Sequence, residues 1–458
     1  MQKALFVKVL LVGIVFATLL VPLSMIGGLV GERAARQQSA VEDVAARSFG
    51  KQVFSGPILT VPYVEEYDEE IVEARERKAV RRRIERVLRF FPATAEFDGS
   101  ATVATKHRGL FKVRTFNWQT SIRGEFVLDG KVRFERSSET SRILWGRPAI
   151  SLAVSDPRGL VDTPALELAG QRMDFERGSR ITAWPSGLHA SVPHVDPMQP
   201  QRLPYALTLG VQGTDSLAIV PIAGSTSVGL KSEWPHPAFG GQFLPQPESE
   251  QIDAHGFAAR WIVTALASNA QQQVEALFDA KRDNPLPSIE RIEIRFIEPI
   301  DIYSLSDRAL KYGFLFVALT FGAFMLYEVL KGLRLHPAQY GLVGLALAVF
   351  FLLLLSLSEH LRFWIAYLIA ATACVALLGF YLSAALRNAR RGVAFALMLA
   401  ALYGALYGLL VSEDNALLLG SLLVFALLAG AMIATRKLDW YAPTPNRDAQ
   451  GARQANAA

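Results

Sequence analysis

The chain reads as a membrane protein with six transmembrane α-helices, one an N-terminal anchor and five a C-terminal bundle, plus a large, mostly antiparallel β domain. Three observations predict this class. The 458 residues are 51% hydrophobic and only 19% charged, too apolar for an ordinary soluble chain. The apolar residues concentrate in stretches free of Asp, Glu, Lys and Arg. Between the first two of these lies a long segment that alternates apolar and polar residues between turn signals, the pattern of half-buried strands.

The uncharged stretches are Val9 to Gly31, Tyr312 to Tyr327, Gln339 to Ser358, Phe363 to Leu386, Gly392 to Ser412 and Asn415 to Thr435. A bilayer core of about 30 Å needs roughly 20 apolar residues at about 1.5 Å each. Five stretches reach that length. The second does so only if Glu328 lies at headgroup level and Val329 and Leu330 extend it. Lys3 and Lys8 give the first stretch the basic start of a signal peptide, but its uncharged run is too long and no clear A-x-A site follows. It reads as an uncleaved anchor.

Basic residues set the orientation. Lys3 and Lys8, Lys331 and Arg334, Arg387, Arg390 and Arg391, and Arg436 and Lys437 all fall on one side. The alternate turns, EHLR (359–362) and ED (413–414), hold one basic residue between them. Both termini are therefore expected in the cytoplasm, with residues 32–311 outside it. The expected domains are the anchor (1–31), the β-rich domain (32–311), the five-helix bundle (312–437) and a disordered cytoplasmic tail (438–458). The only cysteine, Cys374, lies within a span and reads as a small hydrophobe. A net charge of +5, much of it in the loops, makes no case for nucleic-acid binding.

Within the outer segment, residues 32–50 read as a helix leaving the membrane. PILTVPYVEEY, the run from Phe97 to Glu135 and PYALTLGVQGTDSLAIVPIAG read as strands, with turns at Phe97-Asp-Gly-Ser100 and Leu128-Asp-Gly-Lys131. SNAQQQVEALFDAKR (268–282) reads as a helix, and IERIEIRFIEPIDIY (289–303) as a closing strand. EARERKAVRRRIERVLRFF (73–91) has two readings, a basic amphipathic helix or strand arms with their charges outward.

WPHPAFGGQFLP (234–245), SLSDRALKYGFLFVALTF (304–321), LRLHPAQYGLVGL (333–345), LLLLSLSEH (352–360), ALLLGS (416–421) and RKLDWYA (436–442) resemble, in order along the chain, motifs of the CreD family of inner-membrane proteins. The resemblance implies a bacterial inner-membrane location, a periplasmic β domain, and a link to cell-envelope integrity and a two-component regulatory system of Gram-negative bacteria. It implies no chemistry.

The residues favour structure over catalysis. In WPHPAFGGQFLP, each proline fixes φ and holds the residue before it extended, and Gly240-Gly241 permits a reversal. Trp234, Pro235, His236, Pro237 and Phe239 therefore read as a rigid, aromatic-anchored corner, with partner contact or catalysis by His236 as the other readings. His189, His194 and His255 share the domain without a zinc spacing. His336-Pro337 suits a helix start, and Gly404 with Gly408 suits close helix packing. Glu359, Glu413 and Asp414 stand at equivalent turns of two hairpins, as solvated residues, docking groups or part of a transport path. Arg308 and Lys311 are expected at the same membrane surface, where pairing with one of these carboxylates would seat the domain. No catalytic, nucleotide-binding or metalloprotease motif is present, and no cofactor is expected. The leading function is a non-enzymatic envelope protein whose periplasmic domain contacts envelope components or other membrane proteins. The alternative is a transporter or channel-like component gated by that domain.

Overall fold

The computed structural model describes residues 2–73, 76–132, 136–193, 195–280, 289–298, 302–331, 336–385, 388–412 and 415–436. It divides into a helical unit, residues 1–36 with 300–458, and a β unit, residues 37–299. The expected tail (438–458) lies outside the described residues, as do Glu413 and Asp414.

Anchor and exit helix are one element, α1 (Gln2–Arg47), which passes through Pro22 without a break. The β unit then opens with two long strands, β1 (Gln52–Glu73) and β2 (Glu76–Phe90), paired antiparallel from Leu59↔Phe90 outward. The basic segment is thus a strand. Opposite charges face each other across the ribbon, as at Glu66↔Arg83 and Asp68↔Arg81, a pairing that favours the sheet. Next come β3 (Thr94–Arg108), β4 (Phe111–Asp129), β5 (Arg142–Trp145), β6 (Ala149–Val154), β7 (Ala165–Leu168), β8 (Gln171–Met173), β9 (Phe175–Arg177) and β10 (Gly187–Ser191). The remaining strands are β11 (Pro200–Thr214), β12 (Ser216–Ile219), β13 (Ser225–Ser232), β14 (Pro237–Gly241), β15 (Gln251–Asp253), β16 (Gly256–Thr264) and, after helix α2 (Ala270–Asp279), β17 (Ile292–Phe296).

These strands form two sheets. One runs β14-β17-β12-β1-β6-β10-β9, with β2 and β5 also on β1; the other runs β15-β16-β13-β3-β4-β11-β7-β8. Pairing is antiparallel except at β1·β12 and β3·β13. Phe54, Phe97, Phe116, Trp118, Trp261 and Ile294 belong to the core the two sheets share. On the other face of the first sheet, Ile58, Ala153 and Val220 pack with Val274 and Leu277 of α2 and with Trp184.

Two local expectations fail. Phe97-Asp-Gly-Ser100 is not a turn but mid-β3, where a side chain on Gly99 would come within 2.7 Å of the Trp118 indole nitrogen. The glycine makes room for that ring. The closing strand is only β17, because Tyr303 already belongs to the next helix. Leu128-Asp-Gly-Lys131 does turn: Gly130 has φ +72°, and the Asp129 carboxylate accepts from the Lys131 N–H at 2.9 Å.

The helical unit continues with α3 (Ile302–Lys331), α4 (Pro337–Ser358), α5 (Phe363–Ala385), α6 (Ala389–Val411) and α7 (Ala416–Thr435). Five described helices, the first being α1, are long and apolar enough to cross a membrane, one fewer than expected. α7 is also apolar, but its described apolar stretch, Leu418–Gly430, is shorter. Among the described residues, side chains added at Gly404 and Gly408 would meet nothing within 4 Å. The buried face of α6 runs instead through Phe395, Leu399, Leu402, Leu406 and Leu410. Close approaches fall at Gly344, under Leu19 of α1, and at Gly392, against Ser383 of α5.

Candidate functional site

A carboxylate inside a membrane unit is costly unless it is paired, so the buried acids mark the candidate site. Glu328 is 7% exposed near the end of α3. It forms an ion pair with Lys8 of α1, and its second oxygen accepts the Tyr340 hydroxyl of α4 at 2.8 Å. Tyr340 is fully buried, its ring 4.8 Å from Phe324 and 5.6 Å from Phe321. Glu328, expected at headgroup level, is held at a three-helix junction, where Lys8 and Tyr340 supply what water would otherwise supply.

The same parts recur at the opposite ends of the same helices. Glu359 caps the C-terminus of α4. Its Oε1 lies 3.6 Å from the Arg33 Nε of α1 and accepts the Tyr303 hydroxyl of α3 at 3.2 Å. Lys8 and Arg33 are twenty-five residues apart on one helix, or about 37 Å. That exceeds a hydrocarbon core of about 30 Å and falls short of the roughly 40–45 Å that includes the headgroups. Each cluster can therefore sit in one interfacial layer.

Of the residues expected to seat the β domain, Glu359 is thus held by Arg33 and Tyr303, while Lys311 pairs with Asp307 one turn away at 2.6 Å. Pairing of Arg308 or Lys311 with Glu359, Glu413 or Asp414 was expected; at Glu359 the described cation is Arg33 of α1, and the other two carboxylates lie outside the described residues. Arg308 lies on α3 beside these residues. Between the clusters, hydroxyls bond within the bundle: Tyr367 to the Tyr403 carbonyl at 2.7 Å, Tyr403 to Cys374 Sγ at 3.1 Å, and Thr320 to the Phe316 carbonyl at 2.8 Å.

In the β unit, WPHPAFGGQFLP runs into β14, at the end of its sheet. The Trp234 indole N–H donates to the carbonyls of His236 and Ile297, each at 3.1 Å. Its ring lies 4.8 Å from the Arg114 guanidinium, which is itself paired with Glu298. His236 contributes mainly its carbonyl, which also accepts from the Ile297 N–H at 3.3 Å. Phe239 stacks edge-on against Trp261 at 5.3 Å, and Gly241, at φ +81°, passes within contact of the Arg291 carbonyl. The motif pins the last strand of the unit. His189 is buried, with Nδ1 at 2.7 Å from the Gly178 carbonyl, and His255 lies in the β15–β16 turn; His194 is outside the described residues. Among the described residues, no three His, Cys, Asp or Glu gather as metal ligands.

A profile of the family described as inner membrane protein CreD matches residues 4–441. This chain belongs to the CreD family. It is 34% identical over 426 residues to the inner membrane protein CreD of Escherichia coli strain K12, covering 93% of this chain and 91% of that protein. The CreD match takes in both units and both clusters, so the chain is a multi-pass inner-membrane protein of the cell envelope.

Sequence reading missed Lys8, Arg33, Tyr303 and Tyr340 as partners. One signal was available: an acid at the edge of an apolar run, Glu328, requires a cation from elsewhere in the bundle. His336 was legible. It caps α4, its Nδ1 accepting from the Ala338 N–H at 3.2 Å, while Gln339 returns a bond to the His336 N–H.

Proposed function

We propose that the protein contributes to cell-envelope integrity or the envelope stress response without catalysis, its β unit standing in the periplasm and contacting envelope components. The observation that carries this reading is how the helical unit closes on itself. Its buried acids are paired at both ends, and the hydroxyls between them bond to neighbouring backbone or sulfur. A solute path would instead need such groups turned toward water. A closed base suits a mount for the β unit, whose exposed Leu244, Ile252, Ile262 and Leu266 on and around β15 and β16 offer apolar surface for contact.

Photo-crosslinkers placed at Leu244 and Ile262 in the full-length protein in cells should trap an envelope component, whereas one at Glu275 on α2 should not. Equal yields at all three sites would count against a specific contact face. The orientation is tested separately. In a Cys374→Ala background, a cysteine at Asp215 should react with a membrane-impermeant thiol reagent in intact spheroplasts, and one at Ala452 only after lysis. The reverse pattern would invert the topology.

A further inference from the structure

On the surface of the helical unit, a groove of about 360 Å³ lies between α4 and α5. Its floor is Phe350, Cys374 and Leu378, all buried; its rim includes Leu345, Val349 and Leu377, all well exposed. The wall is almost wholly apolar. On α4 the groove runs from Leu342 to Leu353, about 17 Å along the axis. That is about half of a 30 Å hydrocarbon core, the depth of one leaflet. A packed helix from a second copy would call for a groove crossing the whole span.

The groove also has a charged end. It starts five residues into α4 and closes at Tyr381, near the end of α5. There α6 begins tightly against α5, with Gly392 on Ser383, so Arg390 and Arg391 stand beside the same end. Arg390 is exposed. Basic groups beside an inter-helix groove are what hold an anionic headgroup.

We propose that this groove binds one acyl chain of an anionic phospholipid from the leaflet at the basic helix ends, with Arg390 and Arg391 holding its phosphate. The occupant follows from length, apolarity and charge together. None of the residues lining the groove belongs to either ion cluster, and the site does not depend on what the β unit contacts.

The test uses full-length protein in nanodiscs of equal phosphatidylglycerol and phosphatidylethanolamine, released for native mass spectrometry. Phosphatidylglycerol should be retained preferentially. Arg390→Gln and Arg391→Gln should each lower that preference by about fivefold, the worth of one basic residue beside an anionic surface. Leu345→Trp with Leu377→Trp fills the groove from its exposed rim and should abolish retention of either lipid, while circular dichroism confirms an intact fold. Retention without headgroup preference, or retention unchanged by the tryptophans, would overturn the proposal. A wild-type dimer that the tryptophans dissociate would also overturn it, by making this face a contact between copies.

Discussion

The two ends of the helical unit carry the same three parts, a cation on α1, a carboxylate and a tyrosine, yet they are not equivalent. At the Lys8 end, the two oxygens of Glu328 take different donors, and its side chain is 9% exposed against 26% for Lys8. At the Arg33 end, one oxygen of Glu359 serves both partners at 3.2 and 3.6 Å, and Arg33 is 38% exposed. The same chemistry is therefore tight at one end and loose at the other. The two carboxylates are equally shielded, each 9% exposed, so the contrast lies in how their oxygens share the donors and in the greater exposure of Arg33. The loose end is the one adjoining the β unit in the chain.

Lys8→Met should have the largest effect, since it leaves the Glu328 carboxylate buried without its cation. Removing one partner of a buried pair costs about 3 kcal/mol or more, read as a lower unfolding midpoint of the protein in nanodiscs. The exchange Lys8→Glu with Glu328→Lys should recover part of the loss. No recovery would mean that Lys8 acts through packing alone.

Tyr340→Phe comes next. It deletes one hydrogen bond to a charged group, worth about 1.5–3 kcal/mol, and keeps the ring that packs on Phe321 and Phe324. A midpoint indistinguishable from wild type would show that the second oxygen of Glu328 finds another donor.

The β unit supplies an aqueous counterpart. Burial pushes the Glu65 carboxyl up, but the Ser137 N–H, the Ser141 and Ser137 hydroxyls and nearby Arg86 outweigh it and hold the group below its usual range. Arg89 lowers Asp279, Arg158 lowers Asp156, and Asn269 lowers Glu290. Groups with depressed folded-state pKa values stabilise above their unfolded values and lose that contribution as pH falls through the folded ones. The tryptophan fluorescence transition of the β unit in denaturant should therefore be steady near neutrality and shift to lower denaturant below about pH 4. Glu65→Gln should weaken this acid dependence.

Arg33→Gln should do least, about 0–1 kcal/mol, and the loss should shrink further in high salt. An effect matching that of Lys8→Met would erase the contrast between the two ends.

Much of this fold was legible because it is written locally. Apolar runs gave the helices, the Leu128–Lys131 turn marked the end of β4, and the basic amphipathic run left strand arms as one of its two readings. The clusters were not legible because their members are joined only in space: Lys8 and Glu328 are 320 residues apart. In sequence, Lys8 carried a topological meaning and Arg33 merely followed the membrane exit. The Asp98-Gly99 signal misled because glycine serves turns and close packing alike, and only the Trp118 ring decides between them. For the paired glycines of α6 the limit is similar, since spacing does not say which face of a helix meets a neighbour.

Strand β1 has a further consequence. Its 22 residues would extend about 70 Å if straight, but only the part up to Glu66 has strands on both sides. From Tyr67 onward its described partner is β2 alone. Arg81–Asp68 at 3.3 Å, Arg82–Glu69 at 2.8 Å and Arg83–Glu66 at 4.0 Å fasten that ribbon across its width. Individually such exposed pairs are weak; in series they discourage slippage of one strand past the other. The β unit thus carries a boom of fixed pitch, about 20 Å from Tyr67 to Glu73, that holds its far end at a set distance from the two-sheet core, where a loop of the same length would only bound it.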